Sequence, residues 1–113
     1  MSASTDFDAW ATELGLALGM RVTRDPDLIH PPCVFIDTPS IEGRTLHATR
    51  YTVPVFLVAM GVGRQAGDYL LDNGDKFLAA ISEASADPRV LTIGDIPYPT
   101  LHVSKKITIS REH

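Results

Sequence analysis

Leu101-His102-Val103-Ser104-Lys105-Lys106-Ile107-Thr108-Ile109-Ser110 alternates apolar and polar side chains. Leu101, Val103, Ile107 and Ile109 fall on one face of an extended segment, and His102, Ser104, Lys106, Thr108 and Ser110 on the other. Alternation with period two marks a half-buried strand. Lys105 interrupts the apolar face, so its charge asks for a partner. The strand is expected over residues 100–111, where it closes the fold just before His113.

Working outward, Thr45 to Met60 reads as the longest strand. Its first half is mixed and polar (Thr45, His47, Thr49, Arg50), and its second half is apolar on both faces (Val53, Val55, Phe56, Leu57, Val58). Pro54 has no N–H for a ladder, which predicts an edge or a bulge at that point. Gly61-Val62-Gly63 ends the strand. Residues 64–84 read as a helix with Ala66, Leu70, Phe77, Ile81 and Ala84 on one face. Gly74 sits mid-helix at a cost of about 1 kcal/mol against alanine, and a kink is expected there. Asp87-Pro88 ends the helical region, Val90 to Ile93 is a strand, and Gly94 to Pro99 is a turn.

Toward the N-terminus, Phe7, Trp10, Ala11, Leu14 and Leu18 form an apolar stripe on a helix over residues 6–18, with Gly19 as its stop. Met20 to Thr23 is a short strand and Arg24-Asp25-Pro26-Asp27 a turn. Pro31-Pro32 leads into a strand over Cys33 to Asp37. Thr38 to Gly43 has the composition of a loop. Hairpins and two helices predict an α+β domain spanning residues 1–113. It has a mostly antiparallel sheet of four to five strands and both helices on one face.

At 113 residues, 44% of them hydrophobic, the chain has material for one ordinary core. Its formal net charge of −4 argues against a whole-surface grip on nucleic acid. Cys33 is the one cysteine, so no disulfide forms within the chain. The N-terminus lacks a basic stretch followed by an apolar one, and Val53–Gly63 falls well short of the roughly 20 residues that span a bilayer. A soluble protein of the cytoplasm is expected.

Chemical signals are few. Gly61-Val62-Gly63-Arg64-Gln65-Ala66 lies between a strand and a helix, the context of a G-x-G-x-x-A dinucleotide turn. A small nucleotide-binding domain is therefore the alternative reading. Against it, Glu83 falls within the helix rather than at the end of a following strand, and too little chain follows for a doubly wound sheet. His30-x-x-Cys33 has ligand-like spacing, and His47 and His102 lie on strands that could bring them together. A zinc site needs three or four such groups, and no metal is expected. Cys33 is expected to be buried and inert. No nucleophile motif is present, and no catalytic residue or cofactor is assigned. Asp37 and Glu42 bracket the loop at 38–43 and are expected to pair with Arg44 or Arg50.

The chain resembles the tail terminator proteins of long-tailed bacteriophages, also called tail completion or head-to-tail joining proteins. The resemblance runs from about residue 6 to 111. It rests on the opening helix Asp6 to Leu18, on Pro31-Pro32-Cys33-Val34-Phe35-Ile36, and on the polar Ile41-Glu42-Gly43. It continues through Thr52-Val53-Pro54-Val55-Phe56-Leu57-Val58, the helix bearing Tyr69-Leu70-Leu71 and Phe77-Leu78-Ala79-Ala80-Ile81, and the closing segment Pro99 to Ile109.

The resemblance implies a structural virion protein and not an enzyme. Such proteins form a homo-hexameric ring on the last ring of tail-tube subunits, end tube growth, and offer the surface that the head-closure protein joins. Assembly takes place in the host cytoplasm, and the ring resides at the head–tail junction. Genome DNA passes through the lumen without sequence-specific binding, and a net acidic chain would not trap a sliding polyanion. Another head–tail connector ring is the neighbouring alternative. In such a ring Arg50, Lys105 and Lys106 are the expected contacts to neighbouring subunits or rings. Asp37, Glu42 and Arg44 are expected on a loop facing the lumen or the tube.

Overall fold

A computed structural model describes residues 3–110. Arg111, placed in the closing strand by its sequence, and His113 lie outside the described residues. The elements are helix α1 (Ala3–Leu18), strand β1 (Val22–Thr23), a 3-10 turn (Pro26–Leu28), and strands β2 (Cys33–Ile36), β3 (Ser40–Arg44) and β4 (Ala48–Val58). Helix α2 (Gly63–Ile81) and strands β5 (Asp87–Ile93) and β6 (Ile96–Ser110) follow. One curled sheet runs in the order β1-β2-β4-β6-β5, with β3 pairing β4 off that path. All neighbours are antiparallel except β1 with β2. The fold is α+β and mostly antiparallel, as the sequence predicts, with six strands where four to five are expected.

β6 pairs β4 along the whole length of β4, from Ala48↔Ser110 to Val58↔Thr100. β2 pairs only the second half of β4, from Val55 to Val58, and β3 only the first, from Thr49 to Thr52. β4 and β5 are joined through α2, and β6 inserts between them, so the crossover spans a slot filled by the antiparallel last strand.

Both helices lie on one face. Phe7, Ala11, Leu14 and Leu18 of α1 and Ala66, Leu70, Phe77 and Ile81 of α2 pack with Val34, Ile36, Val53, Val55, Leu57 and Val103 of the sheet. Leu101, Ile107 and Ile109 join that core half-buried, so the alternation of the last strand has its apolar face inward. Phe7 meets Tyr51 edge-on at 5.2 Å, and the Arg24 guanidinium stands 5.7 Å above the Phe7 ring while pairing Asp8 at 2.8 Å. A second cluster (Ile29, Cys33, Phe35, Phe56, Val58) fills the reverse face inside the curl, with Leu91, Ile93 and Tyr98 against it.

Several local expectations change. Residues 40–44 form a strand, not a loop. Their polar composition suits a strand exposed on both sides, whose support is the backbone ladder to β4 rather than side-chain burial. β4 starts at Ala48, because Thr45 closes the β3–β4 turn by donating its N–H to the Ala48 carbonyl at 2.8 Å. The longest strand is therefore β6, at 15 residues.

The expected turn at 94–99 shrinks to Gly94-Asp95, with Gly94 at φ +60°. Positive φ at the first central residue is what a two-residue II′ hairpin requires. Pro97 and Pro99 remain in the strand because their side of the backbone faces away from β5. The Pro99 carbonyl accepts the Ala59 N–H at 2.9 Å on the β4 side.

Pro54 sits inside the sheet rather than at its edge, yet its missing N–H removes little. Its carbonyl accepts the Asp37 N–H at 2.9 Å, so its nitrogen points to the same side, at the seam where β2 ends and β3 has not begun. α2 runs through Gly74 as one helix. Gly74 is buried, and a Cβ there would stand 3.2 Å from Leu101 Cδ1. That close approach of helix to sheet explains the glycine in place of a kink. α2 ends at Ile81, short of the expected Ala84. Ser82 is left-handed at φ 56°, and the N–H groups of Ser82 and Glu83 return to the Ala79 and Leu78 carbonyls.

Candidate assembly surface

β3, the first half of β4 and the last half of β6 form a three-stranded arm of the sheet, whose helix side Phe7 of α1 reaches through Tyr51. The molecule measures 50 × 29 × 23 Å, an elongated outline. Tyr51, Ile107 and Ile109 belong to the helix side of the arm. By alternation Arg50 and Thr52 of β4 and Ser104, Lys106, Thr108 and Ser110 of β6 face the other way. This reverse side of the arm carries no apolar side chain larger than Ala48.

Three of the six residues singled out by sequence meet there. Lys106 Nζ lies 3.9 Å from Glu42 Oε2, reaching across β4, with the lysine side chain 71% exposed. The Arg50 guanidinium lies over Gly43, where a Cβ would stand 3.4 Å from Nη2. Gly43 thus leaves room for the arginine to lie flat. Glu42 pairs with Lys106 rather than with Arg44 or Arg50, because a bulge between Ile41 and Gly43 shifts the register of β3. Thr52 Oγ1, on the same side, is buried without a hydrogen-bond partner among the described residues.

The other three go elsewhere. Lys105 is on the helix side and finds Glu83, Nζ to Oε1 3.5 Å, with side chains 21% and 31% exposed. The partner demanded by its place on the apolar face therefore lies within the same chain. In the sequence Glu83 reads as helix interior, whereas in the structure it lies just past the α2 terminus. Asp37 is half-buried at the seam beside Pro54, where its Oδ1 accepts the Thr38 N–H at 2.8 Å. Arg44 is exposed at the end of β3, opposite Thr49. Glu42 and Arg44 thus lie on a strand, not on the expected loop.

The histidines do not converge. His102 is buried at 8% exposure on the reverse face, its ring 4.9 Å from that of Phe56. Burial, reinforced by Arg89, holds its pKa below the ordinary 6.5, while Asp87 acts in the opposite sense. His47 lies in the β3–β4 turn, remote in register from His102. Among the described residues no three His, Cys, Asp or Glu side chains cluster as a metal site. Cys33 is fully buried, and burial pushes its thiol above the ordinary range. A raised pKa disfavours the reactive thiolate.

Gly61 and Gly63, at φ +88° and +58°, turn β4 into α2. Both sheet neighbours of β4 at that end, β2 and β6, run antiparallel to it. The parallel switch point at which a dinucleotide turn works is not formed there, and the glycines are explained by the turn alone. Among the described residues no helix is long and apolar enough to cross a membrane.

Compared with models of known families, with curated proteins and with solved structures, the chain matches none.

Proposed function

We propose that this protein is a ring subunit that caps the tail tube of a long-tailed bacteriophage, ends its polymerisation, and presents the surface to which the DNA-filled head is joined. The carrying observation is the arm: a three-stranded part of the sheet whose reverse side bears Glu42, Arg50 and Lys106 and no apolar side chain larger than Ala48. An exposed polar sheet surface of this kind suits a subunit that must touch like neighbours and a second ring. Besides the two-residue β1, the sheet margins along β3 and β5 offer unpaired backbone in the same molecule. The partners in this reading are further copies of the chain, the tube protein and the head-closure protein. DNA passes through the lumen, and no cofactor is required.

Sedimentation velocity and negative-stain imaging at micromolar concentration test the reading, on the protein alone and with tail tubes built from the tube subunit of the same genome. Rings, free or at tube ends, are the expected result. A protein that stays monomeric and leaves tube length unchanged would remove the proposal.

A further inference from the structure

We infer that neighbouring copies join by continuing the sheet, the free margin of β5 in one copy pairing antiparallel with the free margin of β3 in the next. This rests on the ring reading above. Among the described residues β3 pairs only β4, and β5 pairs only β6, at opposite sides of the sheet. β3 runs against β4, whereas β5 runs against β6 and hence along β4. β3 and β5 are therefore opposed in direction. A rotation that leaves the strand direction nearly unchanged brings β5 of one copy antiparallel to β3 of the next. Such a contact uses two different surfaces, and repetition closes a ring where the rotation per copy divides a full turn. The two margins lie beside opposite ends of the β4–β6 ladder, an offset that strand tilt absorbs, as it does in a barrel.

Backbone and side chains select a register. The Pro99 carbonyl points to β4, so Val90, opposite Pro99, turns its own N–H and C=O outward. The Pro54 carbonyl points to the β2–β3 side, and the same alternation turns those of Ile41 outward. Ile41 and Val90 are 67% and 69% exposed, large apolar side chains standing in water on unpaired edges. Both belong to the helix side of the sheet, through Tyr51 and through Pro99 beside Leu101. Setting Ile41 opposite Val90 places Glu42 opposite Arg89, both on the reverse side. Opposite charges facing each other across strands stabilise the pairing. Arg89 is exposed and forms no ion pair among the described residues. The bulge after Ile41 and the missing N–H of Pro88 keep this ladder short, so each contact is weak until the ring closes.

The test uses the full chain. Ile41→Cys and Val90→Cys proteins are mixed and oxidised, and the native Cys33, fully buried, stays silent. A directly bonded antiparallel pair has a Cα separation of about 5.5 Å, within the disulfide range. Cross-linked dimers that need both proteins support the inference, as does a ladder of multimers from the chain carrying both substitutions. In parallel, Arg89→Glu and Glu42→Arg are each expected to raise the concentration for half-assembly about tenfold through like-charge contact. The double variant restores it, with thermal unfolding showing that each variant folds. Cysteine chains that never cross-link while the parent forms rings overturn the edge pairing and leave the ring standing. So does a double variant no better than the singles. A parent that forms no ring, alone or on tubes, overturns both.

Discussion

Lys105 and Glu83 hold the centre of the last strand to the chain just past the end of α2, Nζ to Oε1 3.5 Å. Both side chains are largely shielded, so the pair is worth more than a surface one but carries a desolvation cost. Lys105→Ala is expected to lower stability by about 1 kcal/mol, and Lys105→Met by less, because the aliphatic stem keeps its packing. A double-mutant cycle with Glu83→Gln, read by urea unfolding, measures the coupling. Its absence would show the two charges to be independent. Because the charge is engaged within the chain, Lys105→Ala is expected to act on stability before assembly.

His102 gives the fold a pH dependence. Its pKa in the folded chain lies below the ordinary 6.5, chiefly through burial, so near that pH the unfolded chain binds more protons. Stability then rises with pH across this window and falls as pH drops through about 6.5. His102→Gln should flatten the slope of the urea midpoint over the same range. An unchanged slope would assign the dependence to other groups.

Phe77 is fully buried at the centre of the α2–sheet contact. Phe77→Ala is expected to cost about 3–5 kcal/mol, from lost burial and the cavity left behind. Since whole domains have only about 5–15 kcal/mol of stability, the variant should be partly unfolded at 37 °C by circular dichroism.

Gly74 answers to two opposed effects. Alanine favours the helix by about 1 kcal/mol, while its Cβ would press on Leu101 Cδ1 at 3.2 Å. Leu101 is only half-buried and its terminal methyl can shift. Gly74→Ala should therefore fall within about 1 kcal/mol of the parent. Gly74→Leu has no room against β6 and should lose more than about 2 kcal/mol. Urea midpoints of the two variants decide between this close approach and a merely tolerated glycine.

What could be read from the sequence was what side-chain pattern encodes. The alternation from Leu101 to Ile109 and the stripe from Phe7 to Leu18 both appear in the fold with their apolar faces on one core. What escaped was set by backbone pairing. β3 has no buried face to announce it, and Pro97 and Pro99 look like turn residues until the direction of their carbonyls is known. Among the site residues, the break at Lys105 correctly signalled a need for a counter-charge. Its partner depended on where α2 stops, which a left-handed Ser82 decides. Sequence proximity points Glu42 to Arg44 or Arg50, but the bulge turns it to Lys106 on a strand two places away.

Pro54 also determines how force would travel through the molecule. At that residue the sheet changes neighbours on one side, while β4 and β6 both run unbroken past the joint. A pull on the tip of the ribbon therefore reaches the helical body along these two strands and the rungs between them, with the Asp37–Pro54 hydrogen bond as the link across the seam opposite.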